Sequence, residues 1–323
     1  WEHFPGAKLR VLRTNPYNSS YWTRSSADGR YVGHGGGQSG DSTIVDLQTN
    51  TEIYVDAAYD PGFFPDNSAF MFQGTPNGTG ICRQTLLSSD TNVNFAEPEC
   101  SSASQVGLYQ HVGAALGGGD YWAVDSAFVS DNGGLSTTLE NPDAFFGNWA
   151  DVDLTPMVYD GAGFSPKPPI EIATPFEGDT VLSPSSRLLI GRVAASGWNQ
   201  AGFRLRKLVA TPNGPSYTVT IPAVARYCIN GGKPGFSYDE RWAVLHTYVT
   251  SDQAVELGFS GPNDPGFLAY AQQGAANIYL LDLVTGLARR VTHMQPGQYA
   301  LFPHFRSDGW IYFMVRTSGA NHE

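Results

Sequence analysis

The seven histidines, His3, His34, His111, His246, His293, His304 and His322, are the side chains best suited to ligate a metal or move a proton near neutral pH. No two have the spacing of a helical HExxH site or of a zinc finger. His34 and His246 stand near the ends of similar segments and are candidates for one shared metal ion, which would still need a third ligand. At Trp1-Glu2-His3 a free amine, the next amides and an imidazole could form a square-planar Cu(II) or Ni(II) site. A bound metal ion is the one cofactor the sequence puts forward, with His3, His34 and His246 as its candidate ligands.

Nucleophilic chemistry has less support. A serine hydrolase presents its nucleophile on a G-x-S-x-G elbow. The Gly-Phe-Ser tripeptides at 163–165, 235–237 and 258–260 run on to Pro166, Tyr238 and Gly261, and none completes the motif. Of the three cysteines, Cys82 and Cys100 flank a polar stretch and are predicted to bond in an oxidising compartment. Cys228, in "AVARYCIN", reads as a small buried residue.

Bulk properties bound the partners. A net charge of -11 with only 19 Lys and Arg excludes a nucleic-acid surface. No apolar run approaches the roughly 20 residues of a membrane-spanning helix. The chain starts at Trp1 rather than Met, so the expectation is a removed leader and export to a periplasmic or extracellular space. With 37 Gly, 21 Pro and 15% charged residues, the composition favours many short strands joined by turns, an all-β fold.

The elements that must position any site recur along the chain. "LFPHFRSDGWIYFMVR" (301–316) is matched by "GFSYDERWAVLHTYV" (235–249), and then by segments at 23–35, 62–74, 180–193 and, more weakly, 113–128. Each reads as a strand, a turn centred on Asp or Ser, and a second strand. Asp28, Asp66, Asp239 and Asp308 are expected to accept backbone N–H bonds within their own turns rather than to catalyse. A second unit recurs downstream: "STIVDLQTNTEIYV" (42–55) superposes on "IYLLDLVTGLARRV" (278–291), with Asp46 on Asp282 and Asn50 on Gly286. Asn and Gly best tolerate positive φ, so both copies read as hairpins.

Inner and outer hairpins together make four-stranded antiparallel blades, six by count. The expected fold is a single-domain six-bladed β-propeller over 1–323. The N-terminal strand "AKLRVLRT" (7–14) supplies the strands missing after Arg316 and closes the ring.

"FPHFRSDGWIYF" and "NIYLLDLVTGLARRVTH" resemble the repeat of the TolB-like propellers. The resemblance implies the fold and leaves the activity open, since such propellers occur in periplasmic interaction proteins, in peptidases as a non-catalytic domain and in oligogalacturonate lyases. A metal-dependent polysaccharide lyase or hydrolase is the second reading. The lyases carry His-x-His before the Pro of one repeat; the matching Ala300, Leu301 and Phe302 cannot bind a metal. His304 falls at a variable repeat position.

Propellers bind at the mouth of the central channel, where the loops leading into the inner strands converge. Trp22, Asp60, His111, Asp179, Lys233, Gln298 and Tyr299 precede those strands and are the candidate ligand-binding set, suited to a small polar ligand or part of another protein. The long stretches near 84–110 and 129–156 exceed what a blade needs, and Phe145, Phe146 and Trp149 form an aromatic cluster suited either to a protein interface or to packing against the propeller's own side. The functional expectation is an exported, non-catalytic binding or interaction module.

Overall fold

A strand turns alternate side chains to opposite faces. In Ala69–Gly74 both faces are apolar: Phe70 and Phe72 enter one buried cluster, Ala69 and Met71 another. Such a strand must be covered on both sides. Stacking twisted sheets radially does this, and it is what the chain adopts: a β-propeller. The structure, a computed structural model, describes residues 7–14, 23–35, 42–56, 61–74, 78–89, 92–102, 111–113, 120–125, 150–193 and 202–317.

Blade 1 holds β1 (Arg24–Ser25), β2 (Tyr31–His34), β3 (Ser42–Asp46) and β4 (Thr51–Val55). Blade 2 holds β5 (Gly62–Phe63), β6 (Ala69–Gly74), β7 (Gly78–Arg83) and β9 (Cys100–Ser102), while β8 (Asn92–Val93) runs parallel on the edge of β4. Blade 3 has β10 (His111–Gly113), β11 (Tyr121–Asp125) and β12 (Asp151–Tyr159), with β13 (Phe164–Pro166) and β14 (Ile170–Ala173) both on β12. Blade 4 has β15 (Glu177–Leu182), β16 (Leu188–Val193), β17 (Gly202–Lys207) and β20 (Ala223–Tyr227), with a ribbon of β18 (Val209–Asn213) and β19 (Ser216–Thr220). Blade 5 has β21 (Gly232–Phe236), β22 (Trp242–Tyr248), β23 (Ala276–Asp282) and β24 (Ala288–Arg290). The terminal hairpin, β25 (Tyr299–Phe305) and β26 (Ile311–Arg316), joins this last sheet through one parallel pairing, Ala276 with Tyr299.

The strands therefore form five blade sheets and not the expected six. The sixth inner hairpin is present, but no described strand extends it into a sheet of its own. Closure by the N-terminal strand is not shown either. Residues 7–14 carry no strand, and Arg13 bonds by its side chain to Asn50 and Glu52 on the outer hairpin of blade 1.

The turns behave as their sequences require. Asp28 accepts from Arg30 N (3.0 Å), Asp66 from Ser68 N (2.9 Å), Asp239 from Arg241 N (3.1 Å) and Asp308 from Trp310 N (3.3 Å). The superposition of Asp46 on Asp282 holds in three dimensions. Each carboxylate accepts a two-pronged bond from an arginine, Arg30 (3.1 and 2.7 Å) and Arg241 (2.9 and 2.7 Å). Asn50 and Gly286 both take positive φ, 58° and 73°. The turns also stitch neighbours together at this lower end: Asp28 N donates to Asn67 Oδ1, Tyr121 Oη to Asp66 and Ser185 N to Glu240.

Apolar clusters fill the seams between consecutive blades and between blade 5 and the terminal hairpin. Cys82 and Cys100, opposite each other on β7 and β9, form the predicted disulfide. Cys228 is exposed rather than buried, because it follows the end of β20. A helical insertion, α1 (Pro265–Gln273), is capped by the Asp264 carboxylate and follows the predicted strand-rich reading nowhere. Among the described residues no helix is long and apolar enough to cross a membrane.

Candidate binding site at the upper end of the inner strands

The inner strands β1, β5, β10, β15, β21 and β25 neighbour one another in a ring. Three of them break register at the same place. The pairing shifts between Gly178 and Val181, between Gly232 and Gly235, and between Leu301 and His304. One residue at each break is left-handed without being glycine: Asp179 (φ 49°), Lys233 (φ 50°) and Phe302 (φ 55°). Such a conformation costs about 1–2 kcal/mol per residue and persists where its surroundings impose it.

The three bulge residues are buried and reach across the blade 4, blade 5 and terminal-hairpin seams. Lys233 Nζ donates to Asp179 Oδ1 at 2.8 Å, and Arg192 Nη1 lies 3.6 Å from the other carboxylate oxygen. Asp179 is 5% and Lys233 9% exposed, so both charges are held largely out of water and depend on each other. Arg192 and His246 hold equivalent places, opposite Gly178 and Gly232 on the second strands. His246 packs edge-on against Phe302 at 5.7 Å, its Nδ1 accepts from Phe302 N, and the Arg316 guanidinium lies 5.3 Å from the Phe302 ring. The layer thus passes from charged to aromatic around the ring.

Of the residues expected at this mouth, Asp179 and Lys233 come together, though inside the inner strands rather than in the loops before them. Gln298 and Tyr299 do not join them. Gln298 Oε1 accepts from Gln295 N within a local turn, and Tyr299 Oη donates to the Gln273 carbonyl at the end of α1. His111 is the first residue of β10, paired with Val124, rather than a loop residue. Trp22, Asp60, Trp1, His3, Phe145, Phe146 and Trp149 lie outside the described residues. Phe302 was missed, although spacing carries the signal: it stands four residues before Arg306, which opens its turn. Asp179 and Lys233 stand four before Ser183 and Ser237. Trp22 and Asp60 have the same distance in sequence to Ser26 and Phe64.

His34 and His246 do not hold equivalent places. The Arg30–Asp46 and Arg241–Asp282 pairs fix the register of blades 1 and 5, so His34 matches Leu245, and His246 falls one residue later on the opposite face. Both histidines are buried, not on a surface rim, and burial lowers the pKa of His34. His304 is buried too. Its Nδ1 faces the Phe302 carbonyl, and burial, reinforced by the Arg24 charge, pushes its pKa down to about 3. It is a neutral seam residue at physiological pH. Among the described residues no group of three or more His, Cys, Asp or Glu could hold a metal ion.

One other titratable cluster stands out, on the flank of blade 3. Asp125, Asp153 and Glu171 are directly opposite one another on β11, β12 and β14, with Asp151 two residues from Asp153 on the same face. Like charges so placed repel. Burial, then Asp151 and Glu171, pushes Asp153 up to about 6.

No family model matches the chain, and no curated protein matches it. Solved structures do. TolB from Acinetobacter baumannii is 11% identical with a TM-score of 0.47, over 88% of this chain and 56% of that one. The Cps50 (Swd1) β-propeller domain of Myceliophteria thermophila is 10% identical at 0.47, over 91% and 92%. Kuenenia stuttgartiensis hydrazine synthase is 10% identical at 0.46, over 93% and 83%. At such identities and TM-scores they carry no ligand, partner or activity across to this chain.

Proposed function

We propose that the protein is an exported TolB-like propeller that acts as a binding module, taking a small polar ligand or part of another protein at the upper end of its inner strands. The observation that carries this reading is the Asp179–Lys233 pair: two charged, non-glycine residues in left-handed bulges, buried and bonded across the blade 4 to blade 5 seam. A stability role alone would be served at lower cost by an apolar pair in relaxed strands. Export is supported by the Cys82–Cys100 disulfide. Trp22 and Asp60, outside the described residues, and His111 of the third blade are retained as candidates from the sequence alone.

The test is retention of partners from an extract of the native source on immobilised protein, compared with the Lys233→Met and Asp179→Asn variants. Both variants should lose the retained species while keeping a cooperative thermal transition. Equal retention by all three, or metal-dependent cleavage of a uronate polymer by the wild type, would contradict the reading.

A further inference from the structure

The joint between the terminal hairpin and blade 1 holds a buried histidine on each side. His304, on β25, is 6% exposed, with its ring edge-on to Tyr312 at 6.0 Å and its Nδ1 facing the Phe302 carbonyl at 3.2 Å. Tyr312 in turn donates to the Gly29 carbonyl of blade 1, and Ser307 donates to the Ala27 carbonyl. His34, on β2, is 7% exposed. Tyr31 packs into the cluster shared by blades 1 and 2, so strand alternation turns His34, three residues on, toward the terminal hairpin.

A proton on either imidazole is costly where it stands. The charge that bears on His304 is that of Arg24, itself buried on β1. Arg306 of the same hairpin is bonded to Tyr312 and Asp308, and blade 5 presents the backbone of Gly235, where an added Cβ would lie 3.5 Å from His304 Cα. The carboxylates at this end are engaged in their own turns, Asp28 with Ser26 and Arg30, Asp308 with Arg306 and Trp310. Protonated His304 therefore puts a second positive charge near Arg24 and out of water. At His34, Glu52 and Arg13 act with opposite signs and are bonded to each other, which leaves burial in control. Both imidazoles regain water when the hairpin and blade 1 part. The hairpin's other face is held to blade 5 by an apolar cluster, in which Ala300, Phe305, Ile311 and Phe313 meet Val244 and Ile278.

We propose that this joint is an acid-sensitive latch: protonation of His304, with His34 in support, parts the terminal hairpin from blade 1 and opens the ring, while the hairpin stays on blade 5 and blades 2 to 5 keep their folds. The inference is independent of the ligand reading. In the closed joint His304 takes its proton at about pH 3, and once in water at its ordinary value of 6.5. Between those values the open form binds the proton and the closed form does not, so acid favours opening. Closure keeps its full strength above about pH 6.5, and the opening constant rises about tenfold per pH unit below it, reaching about 30-fold at pH 5.

The test is residue-resolved amide exchange of the full chain at pH 7.5 and pH 5, with rates corrected for the intrinsic effect of pH. The Ser307 N–H reports the joint directly, since its acceptor, the Ala27 carbonyl, lies across it at 2.8 Å. Its protection should fall at least about 30-fold at pH 5, while that of Leu188–Val193 in blade 4 changes less than about threefold. His304→Phe keeps a ring that cannot titrate and should cut the fall at Ser307 by at least about tenfold; His304→Asn replaces it if the Phe variant loses its cooperative thermal transition at pH 7.5. Imidazole NMR of the wild type needs no variant and should find His304 neutral at pH 5 in the closed form. The proposal is overturned by equal loss of protection at Ser307 and in blade 4, by a folded His304 variant that responds to acid as the wild type does, or by a His304 that titrates near pH 6.5 with the protection of Ser307 unchanged.

Discussion

Two kinds of seam run through this ring. Between blades 4 and 5, Val181, Ile190, Phe203, Leu205 and Tyr227 interlock with Phe236, Ala243, Leu245, Tyr279 and Leu281, all buried. Between the terminal hairpin and blade 1 the described contacts are polar. Ser307 donates through both its N and its hydroxyl to the Ala27 carbonyl, at 2.8 and 2.9 Å, and Tyr312 Oη donates to the Gly29 carbonyl at 3.1 Å. Arg306 packs on Gly29, where an added Cβ would meet its side chain at 2.5 Å, and Arg24 charges the surroundings of His304. The first seam gains from area, which no single bond controls. The second gains from a few hydrogen bonds of about 1 kcal/mol each. Among the described residues, ring closure therefore rests on fewer and more polar contacts than the seam between blades 4 and 5.

Deleting a large side chain from an apolar seam should have the largest effect. Phe203→Ala, at a position with no exposure, should cost about 3–5 kcal/mol, read as a fall in the denaturant midpoint at unchanged slope. The disulfide comes next: removing it with Cys82→Ser/Cys100→Ser should cost about 2–4 kcal/mol, checked in the same titration. At the polar joint, Tyr312→Phe removes two hydrogen bonds, the donation to the Gly29 carbonyl and the acceptance from Arg306 Nη1, and should cost only about 1–2 kcal/mol. If Tyr312→Phe cost as much as Phe203→Ala, the contrast between the seams would fail.

The smallest effect tests repulsion rather than attraction. Asp153 titrates at about 6 in the folded chain, above the ordinary carboxylate value of 3.8. The native state then binds more protons than the unfolded one between about pH 4 and 6, so this group's contribution to stability falls as pH rises through that window. Asp153→Asn should flatten that fall and add about 1 kcal/mol at neutral pH, seen as a higher melting temperature at pH 7.5 and little change at pH 4.

What the sequence told and withheld follows the range of the interactions. Turn carboxylates, the Asn50 and Gly286 conformations and the matched Asp46 and Asp282 are set within a few residues, and all were legible in the repeats. The disulfide was legible because its cysteines close one short excursion between β7 and β9. Burial of His34, His246 and His304 was not, since it depends on what the adjoining blade presents. The bulges were missed because a one-residue break in pairing leaves no mark in a hydrophobic pattern, and this moved the candidate site from Gln298 and Tyr299 to Phe302. α1 was missed although Asp264, Pro265 and Gly274 are good start and stop residues, because the repeat suggested only strands. Counting hairpins gave six blades, whereas sheets are defined by who pairs with whom, and the last hairpin joins the sheet of blade 5.

Amide hydrogen exchange compares the two seams in one experiment. The account predicts that the Ile311–Arg316 strand exchanges at least about tenfold faster than Trp242–Tyr248 at concentrations where the protein is monomeric. Equal protection of the two strands under those conditions would contradict it.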